Sequence, residues 1–218
     1  MRHFRLAPAG GPATILCIGA HCDDIEIGCG GLLMQLCAAQ PAPVVHWFVP
    51  VAPAERAAES RQAAQQLLAG AASISLETHG FTDGELPYAG APLRRLVHEL
   101  ATRLTPDLIL THWDGDAHQD HRCLAELTWQ VFRHHLIVEY EIAKYDGDLG
   151  RPNWYVPLST AVADRKVACL TECFASQRSK PWFNAETFRG LLRLRGLECR
   201  APSGLAEGYY LRKGVWQV

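Results

Sequence analysis

The sequence lacks both an excess of charge and a long uninterrupted apolar segment. Its 218 residues include 21 basic and 23 acidic side chains, which gives a formal net charge of −2 at pH 7. So small a charge offers no electrostatic basis for general binding to nucleic acid. No segment approaches the roughly 18 consecutive apolar residues of a membrane-spanning helix. Residues 1–11 have no apolar core of signal-peptide length. We therefore expect a cytoplasmic protein without nucleic-acid or membrane partners.

Several familiar motifs of catalysis and metal binding are missing as well. The sequence has no G-x-S-x-G motif of serine hydrolases and no P-loop lysine motif. Cys169 and Cys173 are four residues apart, but no second cysteine pair completes a structural zinc site. A chain of this length needs no disulfide cross-links, so the eight cysteines are expected to be reduced thiols. The functional residues are therefore sought among histidines and carboxylates.

Hydrophobic patterning predicts an α/β fold. Short apolar runs alternate with segments whose apolar residues recur at helical spacing. The runs predict five strands over residues 14–19, 44–49, 73–76, 107–111 and 137–142. Strands that alternate with helices indicate a mostly parallel sheet with helices on both faces.

After Lys144 the pattern becomes less regular. Helices are predicted over residues 163–175 and 184–195, and a final short strand over residues 208–212. No repeat, low-complexity tract or linker separates this part from the rest of the chain. We expect residues 1–218 to form one domain with a less regular part from about residue 144.

Two groups of side chains suited to metal binding follow predicted strands. The first, residues 20–26 (AHCDDIE), comes after the first strand, and the second, residues 112–121 (HWDGDAHQDH), comes after the fourth. In an open α/β sheet, ligands bind beyond the carboxyl ends of the strands. Both groups therefore lie where an active site is expected.

The first group contains a histidine and two adjacent carboxylates. His21 and Asp24 are three residues apart, a spacing that can place both side chains on one face of a turn. The neighbouring carboxylate of Asp23 repels that of Asp24 unless a cation compensates the charge. A helix N-cap formed by either aspartate is the alternative interpretation, but it leaves His21 without a role.

The second group contains His118 and His121, again three residues apart, with Asp120 between them. One imidazole from this group, together with one histidine and one carboxylate from the first, makes the ligand set of a catalytic zinc site with an open position for water. The spacing does not decide which imidazole is the ligand. The other is a candidate to stabilise an oxyanion or to protonate a leaving group, and Asp120 is a candidate to orient a histidine. The spare carboxylate, Asp23, is a candidate general base.

These motifs resemble those of the LmbE-like (PIG-L) zinc-dependent N-deacetylases. Residues 20–24 (AHCDD) are similar to the A-H-P-D-D-E signature of that family, and residues 118–121 (HQDH) to its H-P-D-H signature. The order of the motifs, a helix start with Arg56 and Glu59, and the segment 81–88 (FTDGELPY) extend the resemblance over most of the chain. The resemblance implies a Rossmann-like fold. It also implies hydrolysis of an acetamide on an amino sugar of the N-acetylglucosamine type, which yields an amine and acetate.

The resemblance also implies roles for individual residues. It makes His21, Asp24 and His121 the ligands of Zn²⁺, although the same ligand set accepts Fe²⁺. It makes Asp23 the general base, and His118 the imidazole that stabilises the oxyanion or protonates the amine.

Three further residues receive roles from the same resemblance. Asp120 is implied to support His118, and Arg56 and Asp83 match positions that contact the sugar.

This sequence departs from the family signatures at three positions. Cys22 and Gln119 stand where proline is usual, and Ile25 takes the place of a glutamate, with Glu26 one residue later. A small packed side chain is the expected role of Cys22. None of these departures removes an implied metal ligand.

The sequence has three alternative interpretations besides a sugar deacetylase. The same site serves a metal-dependent amidase that acts on a non-sugar amide. The glycine-rich residues 25–31 (IEIGCGG) resemble the loop of an S-adenosylmethionine-dependent methyltransferase, although these glycines also suit close packing of a helix on the sheet. A third alternative is a metal or sugar binder without activity, but such a protein needs no spare carboxylate. The sequence leaves open whether the protein is a homo-oligomer.

Overall fold

The computed structural model describes residues 11–215, so residues 1–10, in which no signal-peptide core is expected, lie outside the described part. Strands and helices alternate through the first four pairs of elements: β1 (Thr14–Ile18), α1 (Asp24–Ala38), β2 (Val44–Val49), α2 (Ala54–Leu67), β3 (Ser73–Thr78), α3 (Leu86–Arg103), β4 (Leu108–His112) and α4 (Gln119–Val131). The remaining elements are β5 (Ile137–Tyr140), β6 (Trp154–Pro157), α5 (Thr160–Cys173), a 3₁₀ turn (Ala175–Gln177), α6 (Ala185–Cys199) and β7 (Ala206–Tyr210).

All seven strands form one sheet in the order β3-β2-β1-β4-β5-β7-β6. The first five strands of this order are parallel, whereas β7 pairs antiparallel with both β5 and β6. In β1, the residues Ile15, Leu16, Cys17 and Ile18 are all fully buried. Burial on both faces explains why this strand has a continuous apolar run instead of an alternating pattern. The predicted mostly parallel sheet is confirmed.

Helices cover both faces of the sheet, as predicted. One face packs against α1, α2, α5 and α6, whose apolar side chains form the larger hydrophobic core. The other face packs against α3 and α4 and forms a second core. Between residues 11 and 215, none of the helices has the length and apolar character needed to cross a membrane.

The C-terminal strands differ from the sequence prediction. The final strand spans Ala206–Tyr210 instead of residues 208–212, and β6 was not predicted. Strand β7 contains the buried carboxylate of Glu207, whose Oε1 lies 2.6 Å from Lys166 Nζ and accepts a hydrogen bond from the backbone N of Gly31 at 2.7 Å. A charged residue interrupts the apolar pattern that marks a buried strand, and its partners lie far away in the sequence. Strand β6 has only four, partly exposed residues at the edge of the sheet.

The glycine-rich segment lies inside helix α1. A Cβ atom on Gly28 would lie 2.1 Å from Cδ2 of Tyr140, and one on Gly31 would lie 2.6 Å from Cδ1 of Leu158. Both distances are far below van der Waals contact, so only glycine allows the helix to approach its neighbours this closely. The segment is therefore a packing surface of a helix and not a ligand-binding loop.

Candidate metal centre and active site

The two motifs meet where the strand order of the sheet reverses. The chain builds β2 and β3 on one side of β1, and β4 and β5 on the other. Strands β1 and β4 are adjacent and parallel, so the segments that follow them emerge side by side at the carboxyl edge of the sheet. Such a switch point is the usual ligand site of an open α/β sheet.

Three side chains from these segments form a nearly equilateral triangle of ligand atoms. The Nδ1 atom of His21 lies 3.4 Å from Asp24 Oδ2 and 3.3 Å from His121 Nε2. The third side, from His121 Nε2 to Asp24 Oδ2, is 3.5 Å. Ligands bound tetrahedrally to zinc at its usual bond lengths lie about 3.3–3.4 Å apart. The three implied ligands are thus brought together in a geometry that fits a divalent metal.

Two other carboxylates orient the ligand histidines. Asp116 Oδ2 accepts a hydrogen bond from His121 Nδ1 at 2.9 Å, which leaves the lone pair of Nε2 facing the triangle. Asp120 Oδ2 lies 3.1 Å from His21 Nε2 and directs Nδ1 of that ring toward the triangle. Carboxylates that bind the second nitrogen of a ligand imidazole in this way fix its orientation and tautomer.

The Asp120 carboxylate is held in place by backbone groups. It accepts hydrogen bonds from the backbone N of Gly84 at 2.7 Å and from that of Leu86 at 3.0 Å. Its side chain contacts His21, whereas the family resemblance implies support of His118. Only the backbone N of Asp120 contacts His118, donating to Nδ1 at 3.2 Å.

His118 lies at the N-terminus of α4, with its ring stacked on that of His121 at a centroid distance of 4.6 Å. Burial and the nearby charge of His21 lower the pKa of His118. The ring is therefore neutral at pH 7. Since Nδ1 accepts a hydrogen bond, the proton is on Nε2, where it can be donated to a ligand.

Charges around the triangle set the ionisation of the acidic ligand. Burial alone raises the pKa of a carboxyl group, but the neighbouring His121 and His112 hold the pKa of Asp24 well below its usual value. Burial lowers the pKa of His21, but its hydrogen bonds with Asp120 and Asp24 raise it well above its usual value. The Asp24 carboxylate is therefore anionic, and the surroundings of His21 favour a positive charge at that corner of the triangle.

Asp23 has the properties of a proton acceptor at neutral pH. Burial raises its pKa to about 7, although the positive charge of Arg56 opposes this shift. Arg56 Nη2 lies 2.7 Å from Asp23 Oδ1 and also contacts the carbonyl oxygen of Cys22. Asp23 has a backbone φ of 124°, a region that costs a non-glycine residue of order 1–3 kcal/mol. The surrounding contacts thus hold this carboxylate in an unfavourable backbone conformation.

The two implied substrate residues border the cluster. The Asp83 side chain is 63% exposed, and its Oδ1 lies 3.0 Å from His21 Nε2. The hydrogen bond with His21 lowers the pKa of Asp83 to about 2. The Arg56 guanidinium is directed largely to Asp23 and Cys22, while its Nε atom lacks a hydrogen-bond partner among residues 11–215.

Two of the three departures from the family signature, Cys22 and Ile25, are fully buried. Cys22 is buried with its Sγ 4.0 Å from the carbonyl oxygen of Val51, and burial raises the pKa of its thiol. Ile25 belongs to the larger hydrophobic core. Both residues therefore pack in the interior.

The next residue, Glu26, has a fully buried carboxyl group. It accepts a hydrogen bond from Ser60 Oγ at 2.7 Å, and burial raises its pKa to about 8.

Sequence reasoning gave no role to two residues of the cluster, His112 and Asp116. His112 is fully buried at the end of β4, and its Nε2 lies 3.2 Å from Asp24 Oδ2. Its ring stacks on that of His121 at a centroid distance of 3.9 Å. The sequence signal that could have identified His112 is its position at the carboxyl end of an apolar strand. The contact between Asp116 and His121 depends on the turn between them and has no comparable sequence signature.

Comparisons with known proteins identify the fold and the family of this chain. A search of curated proteins found no match. Solved structures that resemble this chain include the conserved protein TT1542 from Thermus thermophilus, with 22% identity, a TM-score of 0.72 and coverage of 94% of this chain and 97% of that one. GalB, the 4-carboxy-2-hydroxymuconate hydratase from Pseudomonas putida, has 18% identity, a TM-score of 0.71 and coverage of 94% and 98%.

A third similar structure is N,N'-diacetylchitobiose deacetylase from Pyrococcus horikoshii, with 19% identity, a TM-score of 0.69 and coverage of 91% of this chain and 83% of that one. At such identities these likenesses establish the fold. The family model described as PIG-L: GlcNAc-PI de-N-acetylase matches residues 16–132, more than half of the chain, and this segment includes both motifs. The chain therefore belongs to the PIG-L family.

Proposed function

We propose that this protein is a metal-dependent hydrolase that removes the acetyl group from an N-acetylated amino sugar or sugar conjugate of the N-acetylglucosamine type. The observation that carries the proposal is the triangle of His21 Nδ1, Asp24 Oδ2 and His121 Nε2 beside the buried carboxylate of Asp23. Membership of the PIG-L family supports an acetamide on a sugar as the substrate. The fold shared with the deacetylase from Pyrococcus horikoshii agrees with this assignment.

The metal held by His21, Asp24 and His121 is proposed to be Zn²⁺, with Fe²⁺ as the alternative, because two imidazoles and one carboxylate suit both ions. When bound, the ion supplies a Lewis acid that polarises the amide carbonyl and makes water more acidic. The carboxylates of Asp116 and Asp120 keep the ligand nitrogens aimed at the triangle. Asp120 is thus a positioning residue.

Asp23 accepts the proton of the attacking water as the water oxygen bonds to the acetyl carbon. A pKa near 7 allows Asp23 to be ionised at neutral pH and yet basic enough to take this proton. The same carboxyl group can then return the proton to the amine nitrogen as the carbon–nitrogen bond breaks. The products are the free amine and acetate.

His118 donates a hydrogen bond from its Nε2–H to the oxygen that becomes negative when water adds to the carbonyl. Its lowered pKa keeps it neutral, and the hydrogen bond from the backbone N of Asp120 fixes the tautomer. A preorganised donor of this kind stabilises the transition state more than the ground state. Protonation of the amine nitrogen is the alternative role of His118, but it requires the charged imidazolium form, which the lowered pKa of His118 disfavours.

The sugar is proposed to contact Asp83 and Arg56. Asp83 is an exposed carboxylate beside His21, suited to accept hydrogen bonds from sugar hydroxyl groups. Arg56 is 14% exposed beside Asp23 and places a positive charge at the border of the cluster, close to where the sugar is proposed to bind. The proposed working environment is the cytoplasm, with a small-molecule substrate and without nucleic-acid or membrane partners. The net charge of −2 supports the exclusion of nucleic acid.

The test is acetate release from a panel of free and nucleotide-linked N-acetylated sugars. Zinc-loaded and chelator-treated protein are compared, together with Asp23→Asn. The expected result is release that requires metal and disappears in the variant. Release only from non-sugar amides would instead identify an amidase. An unsaturated hydroxy acid belongs in the panel because a hydratase shares the fold. No turnover of any compound by protein with bound zinc would favour a binder, and no metal binding would overturn the assignment of the site.

A further inference from the structure

A buried lysine that the proposed chemistry does not use lies beside the ligand cluster. Lys144 follows β5, and its side chain is only 8% exposed. Its Nζ lies 3.0 Å from Asp116 Oδ1 and also contacts Asp148 Oδ2, while Asp146 Oδ2 is farther away at 3.8 Å. A buried lysine needs such carboxylates to compensate its charge. The contacts therefore tie the loop after β5 to the loop after β4.

Asp116 connects this lysine to the imidazole of His121 and to the backbone of His118. Its Oδ2 accepts from His121 Nδ1 at 2.9 Å, and its Oδ1 accepts from the backbone N of His118 at 2.7 Å. The Asp116 residue is almost fully buried, so water competes little for these bonds. The position of Asp116 thus affects the metal ligand and the proposed hydrogen-bond donor together.

Asp148 holds the lysine from the other side. Its Oδ2, which contacts Lys144 Nζ, also accepts a hydrogen bond from the backbone N of Ala117 at 2.6 Å. Ala117 lies between Asp116 and His118 in the turn that precedes α4. Lys144 and Asp148 thus close a ring of polar contacts around the turn that presents both imidazoles.

From this geometry we propose that Lys144 is a positioning residue of the metal centre, which holds Asp116 so that His121 Nε2 faces His21 and Asp24. The inference rests on the proposed function, because it requires that the cluster binds a metal. Without the lysine, Asp116 and Asp148 become neighbouring carboxylates without a counter-ion, and their repulsion turns Asp116 away from His121. Changes to groups that orient metal ligands typically weaken metal binding about 10–100-fold.

The test measures the dissociation constant for Co²⁺ and Zn²⁺ of the full-length protein by competition with a chromophoric chelator. The visible absorption of bound Co²⁺ is recorded as well, because it reports ligand geometry. Lys144→Met is expected to bind metal about tenfold more weakly. Lys144→Arg, which keeps the charge, is expected to recover most of the affinity. Lys213→Met removes an exposed lysine that contacts Arg133 and Trp129, and is expected to bind like the parent.

A second variant, Asp148→Asn, keeps Lys144 and removes the charge of the carboxylate that contacts Lys144 Nζ and the backbone N of Ala117. It is expected to weaken metal binding severalfold, and it replaces Lys144→Met if that variant does not fold. Unchanged dissociation constants and an unchanged Co²⁺ spectrum in a folded Lys144→Met or Asp148→Asn variant would overturn the inference alone. A parent protein that binds no metal would overturn both the inference and the proposed function. Measurements are made well below the unfolding temperature of each variant, so that loss of structure is not mistaken for loss of positioning.

Discussion

Arg56 and Asp23 form a close ion pair inside the candidate active site, with Nη2 2.7 Å from Oδ1. The same guanidinium contacts the carbonyl oxygen of Cys22, the residue before Asp23. Arg56 therefore fixes the turn that carries the proposed general base, in addition to any contact with a sugar. Arg56 is therefore expected to affect activity in two separable ways, through the proposed base Asp23 and through contact with the sugar.

We expect Arg56→Met to shift the acidic limb of the kcat/KM profile to higher pH. The positive charge of Arg56 lowers the pKa of Asp23, so its removal raises that pKa and protonates the base at a higher pH. We also expect kcat to fall about tenfold or more, since the carboxylate loses its orientation. The measurement is a pH–rate profile on metal-loaded enzyme. An effect on KM alone, with an unmoved profile, would restrict Arg56 to substrate binding.

Substitutions of the two adjacent aspartates are expected to have different effects. Asp24→Asn should lose stoichiometric metal, because Asp24 Oδ2 forms one corner of the ligand triangle. Asp23→Asn should keep its metal and lose about 10²–10⁴-fold in kcat, the usual contribution of general base catalysis. Metal analysis of both purified variants, alongside kcat, checks this prediction. Metal loss in Asp23→Asn would mean that this carboxylate is itself a ligand.

Glu26→Gln is expected to change how stability depends on pH. In the metal-free folded protein the pKa of Glu26 is about 8, above the usual 4.5 of an unfolded chain. The folded state therefore binds more protons, and the free energy of unfolding falls as pH rises from 4.5 through 8. Glutamine avoids this loss, so the variant should exceed the parent by roughly 2–4 kcal/mol at pH 9 and match it near pH 4.5.

Denaturant unfolding at both pH values, with a chelator present, provides the measurement for Glu26→Gln. The matched control is Glu186→Gln in the first turn of α6, an exposed glutamate. Equal stability of Glu26→Gln and the parent at pH 9 would show that the Glu26 carboxyl group ionises without cost.

A pair of glycine substitutions tests the packing of helix α1. Gly28→Ala should destabilise the protein by about 1–3 kcal/mol, since its Cβ would lie 2.1 Å from Cδ2 of the buried Tyr140 ring. Gly190→Ala in α6 meets no atom within 4 Å and should stabilise the protein by about 0.5–1 kcal/mol through helix propensity. Thermal and denaturant unfolding of both variants give these differences. Similar values for the two would contradict the close packing of α1.

The sequence allows the centre of the parallel sheet to be predicted because β1 and β4 are buried on both faces. Such strands have continuous apolar runs, and polar motifs stand out where they end. Strand β7 differs because it contains a buried charge. The carboxylate of Glu207 is compensated by Lys166, a residue 41 positions away. Local patterning contains no information about such a partner.

The candidate site likewise has one part that the sequence predicts and one part that it does not. The ligand types and their spacing are visible in the sequence, and the structure brings His21, Asp24 and His121 together. The residues that orient them depend on contacts between loops, so the roles of His112 and Asp116 could not be read from spacing. For the same reason, the resemblance linked Asp120 to His118, whereas its carboxylate contacts His21.

The positive φ of Asp23 has a consequence for how this protein can evolve. Glycine is the residue best suited to that backbone conformation, so replacement of Asp23 by glycine together with Arg56 by methionine relieves backbone strain and removes a buried ion pair. Random mutagenesis followed by selection for heat resistance alone is therefore expected to favour loss of the proposed base. Aspartate is retained at this position only under selection for activity. Its presence therefore indicates that activity has been favoured over stability there.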